Sequence, residues 1–241
     1  MTASSVRARV RAEMIDEIKQ AARRHLASDG ANLSLRAVAR DMGMVSSAVY
    51  RYFPSRDDLL TALIVDAYDA LGEAVETAEA AVDRAELRGR WFAACHAARD
   101  WALARPAEYA LVYGSPVPGY AAPGDTIGPA LRPTVVLMGI LADGVRSGAI
   151  AADPGDRLPA ALVPDFRRIA AYAFPDLPAG TLDRGMTAWI QLFGLLNFEL
   201  FGRLNNTIED TGAYFAHQLA AMADLVGLPG RHPGRQPASE E

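Results

Sequence analysis

Between Leu35 and Phe53, Ala39 and Gly43 stand four residues apart inside a frame of apolar side chains, Val38, Met42, Met44, Val49 and Tyr52. That combination leaves the backbone few ways to run. Leu35 to Met42 is expected as a short helix that Ser34 can cap, Gly43 breaks it, and Ser46 can cap a third short helix reaching about Tyr52. Two helices joined by so short a turn cross at about 90–120°. The crossing needs a small residue under the contact, which Ala39 supplies. The turn needs a left-handed backbone residue, which Gly43 can be at little cost. Val38, Met42 and Val49 then clamp the pair from within. The outer face of the second helix is left with Ser46, Ser47, Tyr50 and Arg51. Short hydrogen-bonding groups, an aromatic ring and a cation suit phosphate oxygens and base edges in a DNA major groove.

The charge distribution agrees with a nucleic-acid surface, although the net charge of −5 does not. Residues 1–56 carry ten Arg or Lys against five Asp or Glu, and the remaining 185 residues carry 14 against 24. A basic head on an acidic body is the footprint of a modular DNA-binding protein. Arg7, Arg9 and Arg11 make a basic stretch that either reaches DNA or is simple solvated charge, and the residues leave both open.

Nearly all of the chain shows helical periodicity. Val10, Met14, Ile18, Ala21 or Ala22 and Leu26 define a first helix that stops at Asp29-Gly30. Pro54 ends the third helix. Ser55-Arg56-Asp57-Asp58 has capping-box form, in which Ser55 serves the Asp58 amide and Asp58 the Ser55 amide. A long fourth helix follows, with Leu60, Ile64, Tyr68, Leu71, Val75, Ala78 and Val82 on one stripe. Further helices are expected at about 85–104, 107–113, 129–147, 157–173, 181–203 and 207–226. Residues 115–128 hold three prolines and three glycines and are expected as a loop. No segment alternates like a strand. The expected fold is all-α: an N-terminal three-helix helix-turn-helix module and a larger helical effector and dimerisation domain.

The run from Val38 to Leu60 closely resembles the TetR family of transcriptional regulators. It carries an Ala, a small turn, Gly43, Ser46, Tyr50 and Phe53, then a basic residue, Arg56, where Lys is commoner. The resemblance spans residues 8–70. It implies that Arg36, Ser46, Ser47, Ala48, Tyr50, Arg51, Tyr52 and Arg56 face a double-stranded DNA operator, with Gly43 at the turn. Residues 71–228 would form the C-terminal domain, and 229–241, rich in Pro, Gly and Glu, a disordered tail. Trp189 to Gly194 and Phe198 to Gly202 resemble a TetR-type C-terminal domain named for a Trp-His-Gly motif. Trp189 and Gly194 match it, and Phe193 stands in the place of the His.

The 181–203 segment is apolar nearly all round, so it must be buried on more than one face. The 207–226 segment repeats the demand with Tyr214, Phe215, Leu219, Met222 and Val226. With the resemblance, this implies a homodimer through the last two helices. The resemblance also implies a small-molecule effector pocket in the body, for which His96, Trp101, Tyr109, Tyr113, Phe166, Trp189, Phe193 and Asn197 are candidates. Core packing of these side chains is the competing reading.

Other classes fare worse. His25, His96, His217 and His232 have no metal-ligand spacing, so no metal is expected. Cys95 and His96 are adjacent and point apart on a helix, a poor nucleophile and base. No glycine-rich phosphate loop suggests a cofactor. No enzyme activity is expected. A lone cysteine allows no internal disulfide, and the basic N-terminus is broken by Glu, unlike a secretory signal. The longest apolar stretch, Val135 to Ala142, is far below the ~18 residues a membrane helix needs. A cytoplasmic setting follows as the expectation. Repression against activation, the operator and the effector are not written in these residues.

Overall fold

The computed structural model describes residues 3–29, 33–155 and 158–230. Among them the chain forms ten α-helices and one turn of 3-10 helix, and no strand. Residues 231–241, most of the expected tail, lie outside the described range, as does Gly30. The helices group into two compact units, residues 1–74 with 98–132, and residues 75–97 with 133–241.

The first unit opens with α1 (Ala3–Asp29), α2 (Leu35–Asp41), α3 (Ser46–Tyr50) and α4, which starts at Arg56 and runs to Ala80. Isolated helices shorter than about 12–15 residues are marginal in water. The five residues of α3 therefore owe their helix to packing. Val49 is fully buried, beside Val38 and Ala39 of α2, Ile18, Ala21 and Ala22 of α1, and Leu59, Leu60 and Leu63 of α4. Each of the Val, Leu and Ile side chains among them contributes roughly 1.5–3 kcal/mol on burial. Met42, Met44 and Tyr52 are partly buried against the same cluster.

The local capping differs from expectation in detail. Ser34 stands at the α2 N-cap in extended conformation, but its side chain makes no capping bond. Ser46 is the first helical residue of α3, and Val45 occupies the cap. At α4 the Ser55 hydroxyl accepts the Asp58 amide (3.1 Å) and donates to the Asp58 carboxylate (2.7 Å), where a bond to the Ser55 amide was expected.

The second stretch of this unit holds the end of α5 (Leu87–Ala104), then α6 (Pro106–Tyr113), the 3-10 turn Gly124–Thr126 and the start of α7 (Ile127–Arg146). Pro106 sits in the first turn of α6, where its missing N–H costs nothing. The sequence boundary at 70/71 carried no sign that 98–132 would join the head. The link is apolar: Val117, from the proline-rich loop, is buried in the head's core cluster, and Tyr120 packs against it.

The second unit contains α8 (Val163–Ala173), α9 (Ala179–Leu200) and α10 (Thr211–Leu225). The α8 helix begins six residues later than its periodicity suggested. The start of α10 is set by Asp210, whose carboxylate accepts the Ala213 amide at 2.8 Å. The interior of this unit is apolar, with Trp91, Met138, Ile140, Leu141, Leu192, Leu196, Phe215 and Leu219 buried. One buried cation, Arg90, is neutralised by Glu79 and by Asp143, the latter at 2.9 Å. Burial opposes ionisation of Asp143, but the hydrogen bond from Arg90 and the charges of Arg84 and Arg90 outweigh it, and its carboxyl titrates below the ordinary value.

Gly43 has φ +66°, and a Cβ built there would meet no atom within 4 Å. A side chain at this position is opposed by backbone strain alone. Gly43→Ala should therefore lower the stability of the head by about 1–2 kcal/mol, the left-handed penalty for an L-residue. Urea denaturation followed by helix signal checks this; an unchanged midpoint would show that the turn does not require glycine.

Candidate nucleic-acid interface

The turn between α2 and α3 is closed by two backbone bonds, from the Gly43 amide to the Arg40 carbonyl (3.1 Å) and from the Met44 amide to the Ala39 carbonyl (2.8 Å). Ala39 is fully buried, as the close crossing demands. With Val49 turned inward, the residues around it on α3 must turn outward. Ser47 and Arg51 are exposed, Tyr50 is 43% exposed, and Ser46, Ala48 and Tyr52 are half-buried. Arg36 and Arg40 project from α2 into solvent. Phe53 belongs to the core cluster. Four of the eight residues assigned to DNA by resemblance, Arg36, Ser47, Tyr50 and Arg51, thus lie on open surface.

Arg56 is placed differently from a free phosphate-seeking cation. Its Nε donates to the Leu33 carbonyl at 3.0 Å, which ties the first turn of α4 to the entry of α2. The head's other basic residues also divide. Lys19 and Arg23 of α1 both hold Asp66 of α4, at 2.9 and 2.6 Å. Arg24 holds Asp41 at 2.9 Å. These three stitch helices together. Arg11 lies with its guanidinium carbon 5.1 Å from the centre of the Tyr52 ring.

The effector candidates fall into separate groups. Trp101, Tyr109 and Tyr113 belong to the first unit, and His96, Phe166, Trp189, Phe193 and Asn197 to the second. Tyr109 and Tyr113 stack at 5.2 Å between ring centres, and Tyr113 meets Tyr68 edge-on at 5.9 Å. Trp189 and Phe193 lie 5.5 Å apart, and His96 abuts Phe215 at 5.4 Å. Asn197 is turned onto its own helix, donating to the Phe193 carbonyl at 2.8 Å. Trp101 is buried.

A cavity of about 390 Å³ in the first unit is lined by other residues: Ile64 and Tyr68 of α4, Leu111 and Val112 of α6, Val117 and Tyr120 of the loop, and the start of α7. Its hydroxyls are tethered. Tyr68 donates to the Val112 carbonyl (3.3 Å), and Tyr120 shares a hydrogen bond with Thr61 (2.9 Å). Burial raises the Tyr68 phenol above its ordinary value, helped by Tyr120. Burial also raises Tyr109 and Tyr113. All three are neutral at physiological pH. Helical periodicity could not reveal this cavity, because Val117 and Tyr120 come from a stretch that carries none.

A buried-alanine crossing, a left-handed glycine turn and an outward face of Ser, Tyr and Arg define a helix-turn-helix DNA-binding protein. The comparisons with known proteins name the family. Residues 18–63 match the model of bacterial regulatory proteins of the tetR family, and residues 91–222 match the tetracyclin repressor-like C-terminal domain. The HTH-type transcriptional regulator Rv1816 of Mycobacterium tuberculosis is 38% identical over 214 residues, covering 87% of this chain and 91% of that protein. The solved regulatory protein SCO4313 superimposes with TM-score 0.74 at 32% identity, over 90% of this chain and 98% of that one. A protein from Rhodococcus sp. RHA1 shares the fold, with TM-score 0.67 at 20% identity over 90% and 95% of the two chains. The chain belongs to the TetR family of transcriptional regulators and is a DNA-binding, non-enzymatic protein. No helix among the described residues is long and apolar enough to cross a membrane.

Arg51 is the one long cation on the outer face of α3. Arg51→Ala should weaken operator binding by about 1–3 kcal/mol and relax the choice of one base pair, if it reads a base edge. Gel shifts on the operator and its single-base variants check this. Equal weakening on every sequence would make Arg51 a phosphate contact instead.

Proposed function

We propose that the protein is a repressor that holds a palindromic operator as a homodimer and is released by a small lipophilic effector. The DNA contacts are those of α2, α3 and the start of α4: Arg36, Ser46, Ser47, Ala48, Tyr50, Arg51, Tyr52 and Arg56. The first carrying observation is the outward face of α9. Ile190 (60% exposed), Gly194, Phe198 (51%) and Phe201 (47%) follow one another at three- and four-residue steps. An apolar stripe of that size on a helix surface marks an association site. Nothing lies within 4 Å of a Cβ built at Gly194, so a second helix has room to approach closely there. On α10, His217, Ala221 and Leu225 are also exposed, and the two helices are joined by a 3.1 Å bond between Gln191 and Gln218. Two copies of this surface would make a twofold four-helix contact. Two heads would then read two half-sites about one helical turn apart.

The effector reading rests on the cavity beside α4. Its walls are apolar and its hydroxyls are already hydrogen-bonded, which favours an uncharged, lipophilic ligand. The same helix turns Leu59, Leu60 and Leu63 into the head's core and Ile64 and Tyr68 into the cavity. Val117 touches both. A ligand that displaced Val117 or α4 would therefore disturb the packing under α2 and α3. To release DNA it must bind the displaced arrangement better than the resting one.

Two experiments test these readings. Phe198→Glu should halve the mass seen by light scattering and abolish cooperative occupation of the two half-sites; a variant that stays dimeric removes α9 from the interface. For the effector, small lipophilic compounds that raise the melting temperature should lose that effect in Ala130→Phe, which fills the cavity, while operator binding persists. Compounds that stabilise this variant as well would place the effector elsewhere.

A further inference from the structure

The first helix is longer than its core requires. Ile18 and Ala22 are fully buried, and Met14 and Ile15 pack on the same cluster. Continued towards the N-terminus at four-residue steps, Ile15 is followed by Arg11 and then Arg7, beside the exposed Val10 and Val6 that follow Met14. Where the head's core ends, this face of α1 becomes exposed and gains the two arginines beside the valines. Arg9 lies on the opposite side and is paired with Glu13 at 3.5 Å. Arg11 is held over the ring of Tyr52, directly after Arg51 at the end of the recognition helix. Four helical residues rise about 6 Å, so Arg7 extends the same ridge one turn further out.

We propose that Arg7 and Arg11 form a second DNA contact, a cationic ridge of α1 that holds backbone phosphates adjoining the base pairs covered by α3. It rests on the reading of α3 as the recognition helix. Charge complementarity and continuity with that surface favour DNA as the occupant. A guanidinium stacked on an aromatic ring keeps its N–H edge available for an anion. Such a contact adds affinity and salt dependence without reading sequence.

The experiment is fluorescence anisotropy of the full chain on its selected operator across a salt series, for wild type, Arg7→Ala/Arg11→Ala, the charge-preserving Arg7→Lys/Arg11→Lys, and Arg9→Ala. Each lost phosphate contact reduces the slope of log affinity against log salt by about one. The double alanine variant should lose about two per head, with an unchanged ratio of operator to scrambled-site affinity. The double lysine variant should restore most of the slope, and Arg9→Ala should leave it near wild type. A double alanine variant with the wild-type slope overturns the ridge while leaving the recognition helix intact. A lysine variant as defective as the alanine one, with lowered helix content, would make the arginines structural and overturn it too. Wild type that binds no selected DNA would instead overturn the recognition-helix reading and the ridge with it.

Discussion

The bond from the Met44 amide to the Ala39 carbonyl, made across a left-handed Gly43, holds α2 and α3 close enough for Val38 and Val49 to share one core. Without that closure α3 has no reason to be a helix, since five residues cannot sustain one alone. With it, the orientation of α3 is settled by one buried residue. Val49 faces in, and Ser47, Tyr50 and Arg51 face out. The outward surface of α3 is therefore a consequence of packing.

Helix α4 carries that arrangement into the rest of the first unit. Asp66 receives Lys19 and Arg23 from α1, and Asp69 receives Arg132 from α7 at 2.7 Å. Arg132 lies across Gly72, where any Cβ would collide with it at 2.7 Å. Between these pins the helix presents one face to the core under α2 and α3 and another to the cavity. Ion pairs of this kind, part-exposed, add little net stability. Their effect here is to fix the rotation of α4 about its axis, and with it which residues face the head and which the cavity.

The head was legible in the sequence because its constraints are local. Ala39, Gly43 and Val49 lie within a dozen residues, and each has one steric role. Formal charge was a poorer guide to the surface. Lys19, Arg23 and Arg24 counted towards a basic surface, yet all three are spent on Asp66 and Asp41. Formal charge does not record which pairs close when helices pack. Arg56 was placed rightly at the start of α4, but its bond to the Leu33 carbonyl, 23 residues away, follows from no periodicity. The cavity was hidden for the same reason. Proline-rich residues 115–128 read only as a loop, and nothing local says that Val117 returns to the head's core. Aromatic residues chosen by type, such as Trp101 and Phe166, could not be assigned to cavity or core by spacing, since both environments favour them.

In the proposed function, two copies of this head read DNA as a symmetric pair. Selection of bound duplexes from a random pool by the full-length protein tests it most directly. An inverted repeat should be enriched, its half-site centres about one helical turn, ~10–10.5 base pairs, apart. Enrichment of a single unrepeated site would contradict the symmetric pair. No enrichment above the random pool would contradict the assignment of α3 as a reader of DNA.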